Sequence, residues 1–117
     1  EVFLERGVAR AERGDVAAAL GDFREAARRA PTDPVPLENA ARAAFALGRA
    51  REAVIFYETL LRLAPERVDV WKTLGAVQLE ALGDVDAARR AFREALRRES
   101  DPEERGRLEA LLATLGP

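Results

Sequence analysis

Side chains able to do acid–base or covalent chemistry are scarce in this chain, and those present stand alone. Ser100 is the only Ser, Lys72 the only Lys and Tyr57 the only Tyr, and the 117 residues include neither His nor Cys. A hydroxyl nucleophile needs a neighbouring base to take its proton, and a thiolate needs a Cys. Neither arrangement can be assembled here. Asp84 and Asp86 have the opening spacing of a calcium loop, but the Gly and the closing Glu that such a loop requires are absent at their offsets. No glycine-rich phosphate cradle occurs. Carboxylates are plentiful, yet most alternate with Arg in the manner of helix-surface charge. The chain is therefore expected to have no enzymatic activity, no metal and no cofactor.

The densest run of one charge is Arg89, Arg90, Arg93, Arg97 and Arg98, with Glu94 among them. It is expected to be a solvated outer helix face whose last cations complement exposed carbonyls. The functional alternative is a patch for phosphate or an acidic partner. A net charge of −2 recruits neither nucleic acid nor anionic lipid. No apolar run approaches the roughly 20 residues needed to cross a bilayer, and no signal-peptide pattern is present. Without Cys there is no disulfide framework, so the compartment stays open, with a cytoplasmic setting the working expectation. The sequence opens at Glu1 and contains no Met, so a piece of a longer protein is expected.

What positions these residues is a repeat. Pro31 and Pro65 are 34 apart, as are Gly14 and Gly48, and Gly83 follows 35 later. Ala19, Ala53 and Ala88 step in the same way, and so do Phe23, Tyr57 and Phe92. A period of this length means stacked supersecondary units. Each unit divides into two helices by its apolar spacing. Phe3, Gly7, Val8 and Ala11 share a face of a helix over about 2–13. Gly14 breaks it, and Asp15 is placed to cap a second helix over 16–29, whose apolar side carries Val16, Ala19, Leu20, Phe23, Ala26 and Ala27. Pro31 and Pro34 prevent continuation.

The second unit has helices over about 35–47 and 50–63. Leu37, Ala40, Ala41, Ala44 and Phe45 are expected inward on the first, and Ala53, Val54, Tyr57, Leu60 and Leu61 on the second. A third unit starts near Val68 with Trp71, Leu74, Gly75, Val77 and Leu79. It turns at Gly83-Asp84 and presents Ala88, Phe92, Ala95 and Leu96 from 85–98. One residue more separates Trp71 from Gly83 than Leu37 from Gly48, which predicts a lengthened turn or a local bulge there. Asp101-Pro102-Glu103-Glu104 is a start signal, with Asp101 as cap and Glu104 at the third position of a capping box. The helix it opens, to about Thr114, has Leu108, Leu111, Leu112 and Leu115 on one stripe. Gly7, Ala41 and Gly75 let paired helices approach, and Phe23, Tyr57 and Phe92 are expected to fill the gaps between successive units.

These residues resemble the tetratricopeptide repeat, whose pattern over roughly 34 residues runs Trp, Leu-Gly, Tyr, Ala, Phe, Ala, Pro. The third unit supplies Trp71, Leu74-Gly75, Ala88, Phe92 and Ala95. The second supplies Leu37, Ala40-Ala41, Ala44, Ala53, Tyr57, Leu60 and Pro65, and the first Phe3, Gly7, Ala19, Phe23, Ala26 and Pro31. Arg6 and Arg10 depart from the pattern, standing where Leu and Tyr are usual, and Ser100 stands where Pro is usual. The resemblance implies an all-α, right-handed α–α superhelix of seven helices. Its repeats would span 1–33, 34–67 and 68–101, with a capping helix over 102–117.

It also implies a function: binding an extended or helical segment of a partner protein in a concave groove lined by the first helix of each unit. The positions carried over are Leu4, Val8 and Glu12, with Glu5 and Ala11 beside them. Glu38, Asn39, Arg42 and Phe45 follow, with Ala46, and then Asp69, Lys72, Thr73, Ala76 and Leu79. Among these, Asn39 stands out because one amide can pair with both polar groups of a peptide unit. The carboxylate clamp of the family's chaperone adaptors is matched at Asn39 alone, and Asp69 would repel a carboxylate, so that ligand is not expected. Two other roles remain open on the sequence: self-association, and regulation of an enzymatic domain elsewhere in a longer chain.

Overall fold

The structure is a computed structural model that describes residues 1–117. Its helices are α1 (Val2–Glu12), α2 (Val16–Arg29), α3 (Pro34–Ala46), α4 (Ala50–Leu63), α5 (Val68–Ala76), α6 (Val85–Arg98) and α7 (Pro102–Leu115). A π-helical turn, Val77–Ala81, continues α5. Seven helices and no strand result, as the periodicity predicts. The chain forms two compact units, Glu1–Ala64 and Pro65–Pro117. In the first, α1 packs on α2, α2 on α3 and α3 on α4; in the second, α5 packs on α6 and α6 on α7.

The turns follow from local chemistry. Gly14 takes a φ of 84°, the left-handed conformation that a side chain disfavours. The next N–H, of Asp15, then donates to the Arg10 carbonyl at 2.9 Å and closes α1. Asp33 and Asp101 cap α3 and α7, accepting from the N–H groups of Val35 and Glu104 at 3.0 and 3.1 Å. Asp15 makes no such bond. Its ψ is 68°, whereas Asp33 and Asp101 have 118° and 121°. Asp84 nevertheless caps α6 from a ψ of 84°, accepting from the Ala87 N–H at 3.1 Å, so the backbone alone does not account for the missing bond at Asp15. Glu104 does not close the reciprocal box either. The Asp101 N–H donates to Glu99 Oε2 at 3.2 Å, and Glu104 turns to Lys72.

The additional residue before Gly83 is absorbed where the spacing predicts it. The Leu82 N–H donates to the Val77 carbonyl, five residues back, at 3.3 Å. That is the bond of a π turn.

Small residues bring the helices together. Ala19, Ala26, Ala40, Ala41, Ala44 and Ala53 are fully buried in the first unit. A Cβ on Gly7 would stand 2.6 Å from the Phe23 ring, and one on Gly75 would stand 2.7 Å from the Phe92 ring. Both rings therefore lie against the first helix of their own hairpin, not merely in a gap between successive units. In the second unit Leu108 is buried with Ala88, Phe92 and Ala95, and Leu111, Leu112 and Leu115 pack against that cluster. Arg105 donates to the carbonyls of Leu96 and Glu99, both at 2.7 Å, satisfying acceptors that the end of α6 leaves open. The Trp71 indole N–H donates to the Pro65 carbonyl at 2.9 Å, and the Arg98 guanidinium lies 5.0 Å from the ring centroid. Phe45, expected inward, is 49% exposed, because the buried face of α3 is filled by Pro36, Leu37, Ala40, Ala41, Ala43 and Ala44.

Candidate functional site

A cavity of about 340 Å³ opens in the first unit. Helix α1 contributes Val8, Ala11 and Glu12; α3 contributes Asn39, Arg42, Ala43 and Ala46; Val16 and Phe23 come from α2. The spacings of three, four and seven along α1 and α3 put each set on one helical face. One side of Phe23 lies close against Gly7, where an added Cβ would stand 2.6 Å from the ring. The lining is chiefly apolar, with three polar side chains among it.

Those three differ in how far they are already engaged. Arg42 donates to Glu38 Oε2 at 3.0 Å, one turn back along α3. Asn39 is half-buried and its amide makes no hydrogen bond within the protein. Glu12 is exposed and has no ion-pair partner. A half-buried amide without a partner keeps two donors and an acceptor open.

Four of the predicted groove residues, Val8, Glu12, Asn39 and Arg42, thus come to one cavity, together with Ala11 and Ala46. Leu4 is half-buried on α1 and Glu38 is half-buried beside Arg42, both outside the lining; Phe45 is exposed on α3. The positions in the second unit are largely engaged already. Lys72 Nζ donates to Glu99 Oε1 at 2.8 Å and Glu104 Oε1 at 2.9 Å. The bond to Glu99 is the main reason its pKa is raised. Asp69 accepts from Arg67 at 2.8 and 2.9 Å, which holds its carboxyl below the usual range. The Thr73 hydroxyl donates to the Asp69 carbonyl at 3.0 Å. Leu79 packs against the core around Phe92 instead of offering a free apolar foothold, and Ala76 is half-buried.

Sequence reasoning missed Val16, Phe23 and Ala43 as lining, having placed the first two on the core side of α2. It also missed a buried ion cluster. Asp22 is 4% exposed. It accepts from Arg6 Nη2 at 2.8 Å, from Arg6 Nε at 3.2 Å to both oxygens, and from Arg10 Nη1 at 3.0 Å. The Arg6 hydrogen bonds do most to hold the Asp22 carboxyl below its ordinary value. Arg6 and Arg10 are the two departures from the repeat pattern on α1, and that departure was the available signal. They clamp α1 to α2 through charge where the pattern has apolar residues.

The Arg run on α6 is divided among separate partners. Arg89 donates to Asp86 at 2.8 Å and to the Leu115 carbonyl at 3.3 Å, and Arg97 and Arg98 both donate to Glu94. Arg90 and Arg93 are exposed. No group of three or more acidic side chains is placed to hold a metal ion, and no helix is long and apolar enough to cross a membrane.

A family model described as tetratricopeptide repeat matches residues 10–77. No curated protein sequence matches the chain. Solved structures with the same arrangement include the first tetratricopeptide repeat domain of Spaghetti (RPAP3) bound to an HSP90 peptide. It is 22% identical with a TM-score of 0.74, and the match covers 96% of this chain and 91% of that one. Another is the type III secretion chaperone SycD of Yersinia enterocolitica in complex with a peptide of the translocator YopD. It is 13% identical with a TM-score of 0.80, and the match covers 97% of this chain and 88% of that one. A third is the Sgt2 tetratricopeptide repeat domain of Aspergillus fumigatus, at 23% identity and a TM-score of 0.72, with 97% and 74% covered. At these identities the likeness is one of fold.

Proposed function

The chain belongs to the tetratricopeptide repeat family, and from that premise we propose that it is a protein-interaction module taking a segment of a partner protein into the cavity of its first unit. The observation that carries this reading is the Asn39 amide, unpartnered and set among apolar side chains from α1, α2 and α3. The amide is half-buried and open to solvent, and the N–H and C=O of a peptide backbone can take the place of water on both of its polar groups. Two of the similar structures, RPAP3 with an HSP90 peptide and SycD with a YopD peptide, hold peptides. In this reading residues 1–33, 34–67 and 68–101 are three repeats and 102–117 a cap. The chain does no catalysis of its own, consistent with its lack of His and Cys.

A pull-down comparing the unaltered chain with the double variant Asn39→Ala, Arg42→Glu tests it. Partners should be lost from the variant while its melting temperature stays the same. An identical set of partners on both forms would contradict the assignment.

A further inference from the structure

Resting on that reading, we infer that the cavity selects an extended internal segment with one large apolar side chain and a Lys or Arg two positions from it. Three observations on the first unit lead there.

The first is size and lining. A cavity of about 150 Å³ holds a benzene ring, and this one is about 340 Å³ with Val8, Val16 and Phe23 in its walls. That admits one Leu, Ile, Met or Phe side chain with the backbone that carries it.

The second is the Asn39 amide. A helical segment satisfies its own backbone groups internally and could offer the amide side chains only. An extended one presents a free N–H and C=O. The bound segment is therefore extended, and its residues two apart lie on one side.

The third is unmatched charge. Arg42 is the one cation in the lining, and Glu38 already pairs with it. Glu12 is the one carboxylate in the lining, and nothing pairs with it. Arg13 follows Glu12 but does not line the cavity, and Arg10 is bound to Asp22. The open charge is negative, so a basic side chain on the partner completes it, and a terminal or side-chain carboxylate is disfavoured.

Selection from a phage library of random internal peptides on the full chain tests this. The enriched peptides should carry a large apolar residue with Lys or Arg two positions away. Measured by fluorescence anisotropy, such a peptide should lose about fivefold in affinity to Glu12→Lys, the scale of an exposed ion pair replaced by repulsion. Exchanging the peptide's basic residue for Glu should restore binding to that variant. Glu12→Gln, which keeps shape and removes charge, should show a smaller loss of the same sign. Ala46→Trp, at the exposed rim, should abolish binding.

Peptides that depend on Ala46 but show no basic preference, or are indifferent to Glu12→Lys, would overturn this inference and leave the peptide-binding reading standing. No enriched peptide, or peptides indifferent to Ala46→Trp, would overturn both.

Discussion

Adding one methyl group should have opposite effects at two glycines in adjacent helices of the first unit. In a helix interior, Gly→Ala relieves backbone entropy and stabilises by up to about 1 kcal/mol. Gly21, in α2, has nothing within 4 Å of a built Cβ, so Gly21→Ala should realise most of that gain. At Gly7, in α1, the same Cβ meets Phe23 Cε1 at 2.6 Å, Phe23 Cδ1 at 2.8 Å and Asp22 Cβ at 3.1 Å. Phe23 is 3% exposed and Asp22 is tied to Arg6 and Arg10, so the ring can give way only toward the cavity it lines. Overpacking of this kind costs about 1–3 kcal/mol, which outweighs the propensity gain. Gly7→Ala should therefore destabilise by up to about 2 kcal/mol, and, the propensity gain being common to both, the two variants should differ by about 1–3 kcal/mol. Urea unfolding followed by circular dichroism reads the difference. In a Phe23→Leu background the penalty at Gly7 should shrink, giving a coupling of about 1 kcal/mol in the double-mutant cycle. A Gly7→Ala protein as stable as Gly21→Ala, or strictly additive effects with Phe23→Leu, would refute the close-approach argument.

Asp22→Asn keeps shape but loses charge-assisted bonds to two guanidinium groups, and should destabilise by about 1.5–3 kcal/mol near neutral pH in a thermal melt. Because the folded pKa of Asp22 is depressed, its contribution is complete above the unfolded value of about 3.9 and fades as pH falls through the folded one. The gap between wild type and Asp22→Asn should thus be flat near neutrality and close in acid; a gap that widened in acid would contradict the assignment. Lys72→Ala frees Glu99 and Glu104 and should speed amide exchange in α7 about fivefold, or roughly 1 kcal/mol, with unchanged exchange as the contrary result. Asn39→Ala should weaken a cavity-bound peptide by about tenfold, the scale of a lost hydrogen bond of about 1.4 kcal/mol, without moving the melting temperature. A variant that binds as well as wild type would remove the amide from the site.

Helix ends and pairing were legible because they rest on local chemistry. Gly14 after α1, Pro34 and Pro102 at the first positions of α3 and α7, and Asp33 and Asp101 as their caps act within a few residues of themselves. The π turn was legible as well, since the spacing from Trp71 to Gly83 leaves one residue that an α-helix cannot place. What escaped was chemistry between helices. Asp22 lies among Leu20, Phe23 and Ala26 on the buried side of α2, where a carboxylate makes sense only once two cations from α1 reach it. Lys72, expected in the groove, also pairs with Glu99 and Glu104, far along the chain, which its position in the sequence does not reveal. Asp15 has a capping residue's identity yet makes no capping bond, whereas Asp84, at a similar ψ, does. Phe45 matched the inward periodicity of α3, yet small residues already fill that face.

The central claim is that the first unit's cavity receives a partner segment, and chemical-shift mapping tests it most directly. A peptide selected on the full chain would be titrated into isotope-labelled protein. The amides of Val8, Ala11, Asn39, Arg42 and Ala46 should shift together, along with the Asn39 side-chain amide. Shifts confined to the Arg run of α6 or to the exposed face of α4 near Ile55, with Asn39 unmoved, would contradict it.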